Sequence, residues 1–287
     1  MSININSINK NMMNTKKSLF VLLASVMLVV MAGLMTSCSK EDNTIDTNGD
    51  NLAEMIIGKW MVADMNGQPM ATNTKPVFTF VSANKGYMSV SLDERQGLST
   101  QWNDQLEIDV AINGNIITVI SHPSEPMMVE EEFTVTDINN KEFTAIRKVT
   151  MKIDGKTVFS EEGLTFRFVK VNVDYRKTII GTWEGHCTSE NSVFDDGQEH
   201  RWEYRADGSY VYYVKDANDQ WVPMETNLSQ YFVDGNLLCT RWHNIGETEN
   251  REWWEIAIDG NTMNWTALRQ NADGSTFTAT FTMTKVQ

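Results

Sequence analysis

The chain repeats itself once, and that repeat limits its folds more than any other feature. Met55-Ile56-Ile57-Gly58-Lys59-Trp60 returns as Thr178-Ile179-Ile180-Gly181-Thr182-Trp183. Phe78-Thr79-Phe80 through Gly86-Tyr87 returns as Trp202-Glu203-Tyr204 through Ser209-Tyr210, and Asn113-Gly114-Asn115 as Asp234-Gly235-Asn236. Thr144-Ala145-Ile146-Arg147 matches Thr266-Ala267-Leu268-Arg269, and the copies close on Lys170-Val171 and Lys285-Val286. The blocks keep one order at a spacing of 121 to 124 positions until the last hairpin, where the first copy is longer around Asp154-Gly155. Such a pattern implies two homologous domains, 52–172 and 173–287, each building one core of its own.

Each copy reads as strands. Arg201–Arg205, Ser209–Val214, Trp253–Ile258 and Thr276–Met283 are short, aromatic and β-branched, and Asp-Gly, Asn-Gly and Gly-Asn pairs suited to tight hairpins punctuate them. Alternation places Met263, Trp265, Ala267 and Arg269 on one face, and Lys141, Phe143, Ala145 and Arg147 on the matching face of the first copy. Outside the N-terminal leader there is no long helical period, only a turn of helix before each Gly-x-Trp. The expected fold is all-β, two tandem antiparallel up-and-down β-barrels, because closure removes exposed sheet edges. A two-sheet sandwich is the alternative.

Gly58-Lys59-Trp60 and Gly181-Thr182-Trp183, each opening a first strand after a helical turn, resemble the Gly-x-Trp opening of lipocalins. Over both domains the chain resembles the tandem lipocalin-like lipoproteins of gut-type Gram-negative anaerobes. The resemblance implies that Trp60 and Trp183, beside Gly58 and Gly181, fill the closed base of each barrel. It also implies an arginine packed over each indole, and Arg147 and Arg269 are the residues so placed. The chain departs from the lipocalin pattern in three ways. It has no Thr-Asp-Tyr second motif, its copies are shorter, and the arginine precedes the final strand.

Residues 1–37 have the order of a secretory signal: Lys16 and Lys17, an apolar run from Leu19 to Met35, then Thr36 and Ser37. Cys38 follows at once, and the junction resembles that of bacterial lipoproteins, whose cysteine receives acyl chains after cleavage. Lys40-Glu41-Asp42 resembles the surface-export signal of the same bacteria. The expectation is an outer-membrane, lipid-anchored protein facing the cell exterior, its membrane contact made through acyl chains on Cys38. An uncleaved membrane helix is the competing reading of the apolar run, which is short for a span. Residues 38–51 hold one large apolar residue and cannot bury themselves, so they form a tether of about 45 Å when extended.

Net charge is −14, and the leader contributes lysines but no acids, so the mature surface repels phosphate backbones. Nucleic acid is therefore not an expected partner. Cys187 and Cys239 remain once Cys38 is acylated, and they form a disulfide or stay as core thiols. His186 and His200 with Asp195 or Asp196 are the only arrangement that suggests a metal, yet surface polarity explains them better. Glu130-Glu131-Glu132 reads as a charged sheet edge, because neighbouring strand residues point to opposite faces. No nucleophile motif, phosphate-binding glycine loop or cofactor fingerprint appears, so neither a cofactor nor catalysis is expected.

Aromatic residues carry the remaining signal. The second copy holds Trp183, Trp202, Trp221, Trp242, Trp253, Trp254 and Trp265, against Trp60 and Trp102 in the first. Trp202, Tyr204, Trp254 and Trp265 fall on inward faces, where they line a ligand cavity or, as large aromatics more often do, fill the core. Trp221 and Trp253 read as outward or loop-borne. Two functions follow from different classes. One is a non-enzymatic lipoprotein that binds a small apolar or amphipathic ligand in the second barrel; the other is a glycan- or protein-binding module using exposed tryptophans.

Overall fold

A computed structural model describes residues 49–92, 101–123, 125–189, 197–244, 249–271 and 273–286. The leader, Cys38 and Lys40-Glu41-Asp42 lie outside the described residues, as do Asp195 and Asp196. Helix α1 (Gly49–Met55) leads into a first sheet of β1 (Gly58–Met65), β2 (Gln68–Pro69), β3 (Val77–Ser82), β4 (Lys85–Leu92), β5 (Gln101–Asn113), β6 (Ile116–Ser121), β7 (Met127–Ile138), β8 (Glu142–Ile153) and β9 (Lys156–Lys170). The second sheet holds β10 (Gly181–Cys187), β11 (His200–Tyr204), β12 (Tyr210–Lys215), β13 (Trp221–Pro223), β14 (Thr226–Asp234), β15 (Leu237–Asn244), β16 (Asn250–Asp259), β17 (Thr262–Gln270) and β18 (Thr276–Val286). All pairings within both are antiparallel. The protein is all-β, as its hairpin punctuation predicts, and the sheets curl into barrels whose inward positions alternate with outward ones. In β17, Met263, Trp265 and Ala267 are buried while Thr262, Asn264 and Thr266 are exposed.

The two sheets close differently. In the first, β1 pairs with β3 on one edge and β9 on the other, so Trp60 faces Lys170 and the ladder is continuous. In the second, β10 joins β11 and β18, but the ends of the sheet, β13-β12 and β14, form no ladder among the described residues; the bridge Ser209–Gln230 and the bonds from Tyr231 N–H to the Gly208 carbonyl and from the Tyr231 hydroxyl to the Arg205 carbonyl (each 2.8 Å) join them. The second barrel therefore has a seam, a departure from full closure.

Both barrels have the same floor. The indole N–H of Trp60 donates to the Ile56 carbonyl, and that of Trp183 to the Ile179 carbonyl, each at 2.7 Å. A buried donor thus caps an open carbonyl of the preceding helical turn. The cation over each ring corrects the arginine expectation. Lys170 Nζ lies 4.9 Å from the Trp60 ring and Lys285 Nζ 5.0 Å from the Trp183 ring. Both lysines come from the last strand, directly across the ladder from their tryptophans. The motif glycine follows from that packing. Gly58 and Gly181 have φ of 126° and 127°, and a Cβ on either would press on the lysine stem at 3.0 and 2.8 Å.

Arg147 and Arg269 lie elsewhere, and not at equivalent levels. Val135 pairs with Ala145, whereas its repeat counterpart Ile256 pairs with Trp265, so the Thr-Ala-x-Arg blocks have slid two residues along the ladder. A bulge between Val135 and Asp137 and a longer β7–β8 turn absorb the difference. Arg147 stands across from Phe133 and lies over the Phe166 ring at 5.4 Å. Continuing the second register past Glu255–Thr266 brings Ala267 to that level, across from Trp254.

Glu130-Glu131-Glu132 also needs correction, since β7 lies inside a closed sheet and has no free edge. Glu131 points inward and pairs with Arg147 at 2.6 Å, while Glu130 and Glu132 meet Lys152 and Lys148 on the outer face. The barrels dock side by side through a third apolar cluster of Met61, Val77, Leu237, Cys239 and Trp253, joined by Trp102 and Phe232. Lys59–Asp234, Lys75–Glu255 and a bond from Leu268 N–H to Thr72 Oγ1 (2.9 Å) flank it.

Candidate functional site: the cavity of the second barrel

Above the Trp183 floor the second barrel encloses a cavity of about 350 Å³, at the small end of ligand pockets. Its lower wall is aromatic. Trp202 on β11 lies 4.8 Å from Trp265 on β17, and Trp265 lies 5.3 Å from Trp254 on β16. Phe281 on β18 stands across the ladder from Trp265, and Tyr212 on β12 across from Trp202. His200 completes this layer, its Nδ1 2.6 Å from the Tyr212 hydroxyl. Toward the seam the wall becomes polar, with Thr226 and Ser229 on β14 and Thr240 on β15. Met224, which also lines the cavity, is among the exposed large apolar residues and marks the mouth.

One carboxylate reaches this space. Glu252 shares the inward face of β16 with Trp254 and Ile256 and accepts a hydrogen bond from the Trp254 indole N–H at 3.2 Å. Burial pushes its carboxyl above the usual value, opposed by the field of Arg269 and by that N–H. Arg269 is held beside it. Its guanidinium lies over the Trp254 ring at 4.7 Å and donates to the Trp253 carbonyl at 3.0 Å, and burial lowers its pKa against the pull of Glu252. The Trp265 indole N–H is buried and has no hydrogen-bond partner among the described residues.

Three of the four inward aromatics named from sequence, Trp202, Trp254 and Trp265, line the cavity. Tyr204 does not. It packs against Tyr210 and Tyr231 in the apolar core, and burial raises its phenol pKa well above the ordinary value. Both alternatives for these rings hold in part, since they pack against one another as core and also border the cavity.

Cys187 and Cys239 are free thiols, which removes the disulfide. Cys187 faces the second barrel's interior and Cys239 the interface between barrels, so the sheet separates them. Trp253 follows Cys239 into that interface and is 9% exposed, which removes it from any surface platform. Trp221 is half-buried, with Arg201 over its ring at 4.6 Å and Lys215 at 5.3 Å. His186 points outward while His200 points in, and among the described residues no three His, Cys, Asp or Glu side chains are grouped to hold a metal.

His200, Tyr210, Tyr212, Trp242 and Glu252 line the cavity but escaped the sequence reading. Period-two counting from Trp202 and Trp254 reaches His200 and Glu252. Nothing local marks Tyr210 or Trp242, whose roles depend on how the sheet curls.

No protein-family model matches the sequence, and no curated protein matches it. Among solved structures, an AttH-type protein of Nitrosomonas europaea overlays 88% of this chain and 99% of its own, with 9% identity and a TM-score of 0.25. Transferrin-binding protein B of Haemophilus parasuis overlays 74% of this chain and 53% of its own, with 10% identity and a TM-score of 0.24. Neither overlay enters the argument below.

Proposed function

We propose that this protein is a non-enzymatic surface lipoprotein, anchored through acyl chains on Cys38, whose second barrel binds one small, mainly apolar or amphipathic molecule. The observation that carries the reading is the cavity of about 350 Å³ in the second barrel, walled by indole, phenol and phenyl rings with a few hydroxyls at its mouth. Stacked faces supply affinity without demanding a polar ligand, and the hydroxyls fix its orientation. The anchor and outward display rest on the order of residues 16–42 alone. The binding module built on exposed tryptophans finds less support, since Trp253 is buried between the barrels.

Native mass spectrometry of protein from its own host should show one extractable small molecule per chain. Titration with a panel of neutral aromatic and amphipathic compounds should also change the fluorescence of the cavity tryptophans. Ser229→Phe, which places a ring inside the mouth, should abolish the response while the fold persists by circular dichroism. An empty protein that ignores the whole panel would overturn the reading.

A further inference from the structure

The two barrels treat the same inward carboxylate differently. Glu131 stands across the ladder from Val119, and Glu252 stands across from Thr240 in the matching pair of strands, so the two glutamates occupy one structural position. In the first barrel Arg147 meets that carboxylate at 2.6 Å. In the second, the two-residue slide of β17 puts Ala267 at the level of Arg147. The same continued register sets Arg269 across from Glu252, where its field acts on the carboxylate while its guanidinium lies over the Trp254 face and donates to the Trp253 carbonyl. The carboxylate is left facing a cavity whose lining, among the described residues, includes no lysine or arginine.

We infer that the guest of the second barrel is a compact organic cation, an alkylated or quaternary ammonium, seated among Trp202, Trp254 and Trp265 with its charge toward Glu252. The inference rests on the cavity reading above and narrows it to a ligand class. Aromatic faces are electron-rich and attract ammonium groups, most strongly where water is excluded. Trp254 already accepts one such charge, from Arg269. Arg269 offsets part of the cost of burying the Glu252 carboxylate, and a ligand cation on its cavity side, in the place of the Arg147 guanidinium, offsets more of it. A neutral apolar guest would fill the space but leave Glu252 as it is.

Choline and its uncharged carbon isostere 3,3-dimethylbutan-1-ol have nearly one shape and differ in charge, so the pair isolates the ammonium. Titrated into the whole soluble chain and followed by calorimetry and tryptophan fluorescence, choline should bind about tenfold or more tighter than the alcohol. In Glu252→Gln, which keeps shape and hydrogen bonding, that ratio should collapse to about threefold or less, with the fold checked by near-ultraviolet circular dichroism. Equal binding of the two probes to the unaltered protein, or a ratio that survives Glu252→Gln, overturns the cation inference. If choline is ignored while members of the neutral panel bind, the cation inference falls and the cavity function stands. If neither choline nor the panel binds, both fall.

Discussion

Among the described residues, touching rings cross the interior of the first barrel and a cavity opens in the second, although both are drawn from one repeated sequence. In the first, Phe143 stacks on Phe168 at 4.2 Å, and Phe133 and Phe78 meet Phe168 edge-on at 5.3 and 6.2 Å, so the rings touch across the interior. In the second, Trp202, Trp254 and Trp265 also pack against one another, at 4.8 and 5.3 Å, but they border a cavity, and the sheet ends beside it form no ladder among the described residues. A closed, ring-filled barrel gains stability from every inward side chain. A barrel with a void gives up contacts on the side of each ring that faces it. Similar floors with different interiors accord with the proposal that the second barrel carries the binding site.

The largest expected effects test what the barrels share. Trp60→Ala and Trp183→Ala each remove a fully buried indole and the cap on a helical turn, and each should cost about 3–5 kcal/mol in denaturant unfolding. A loss below ~1 kcal/mol in either would mean that the floors are not equivalent. The next pair tests what differs. Phe168→Ala opens a hole in a packed core and should cost about 3–5 kcal/mol, while Phe281→Ala only enlarges a space already present and should cost at least ~1 kcal/mol less. Equal costs would argue that the second interior is closed in solution.

A smaller effect concerns Glu252 and pH. Its folded pKa is raised by burial, so the native state holds the proton more tightly than the unfolded chain does. The stability it contributes is present below the ordinary carboxylate value and is lost as pH climbs from there through the raised one. Glu252→Gln should remove that slope from thermal melts taken across this window; a variant retaining the wild-type slope would place the titration elsewhere. Smallest are Lys170→Met and Lys285→Met, which take a cation from over each floor tryptophan and should cost about 0.5–1 kcal/mol apiece. A much larger loss in one barrel alone would show that the lysine there does more than lie over a ring.

Much of this architecture was legible in the chain. The Gly-x-Trp blocks located both floors, the Asn-Gly and Asp-Gly pairs marked hairpins, and period-two alternation put Trp202, Trp254 and Trp265 inside. These signals are local, because a turn's dihedrals and a strand's two faces are set by a few consecutive residues. The pairing of Arg147 with Glu131, the lysines over the floor tryptophans, the burial of Trp253 and the separation of the two cysteines were not legible. Each depends on register between strands or on docking between barrels.

What the sequence determined by itself is two copies of one all-β plan, each with a tryptophan floor. What tertiary structure alone decided is how the rings of each copy meet and that, in the second, they border a cavity. A slide of two residues in a ladder keeps every side chain on its own face, so alternation cannot reveal it, yet it moves Trp265 to the level of Ala145 and Ala267 to the level of Arg147. The outcome depends on which rings meet across the barrel, a contact between residues far apart in the chain that no local pattern records.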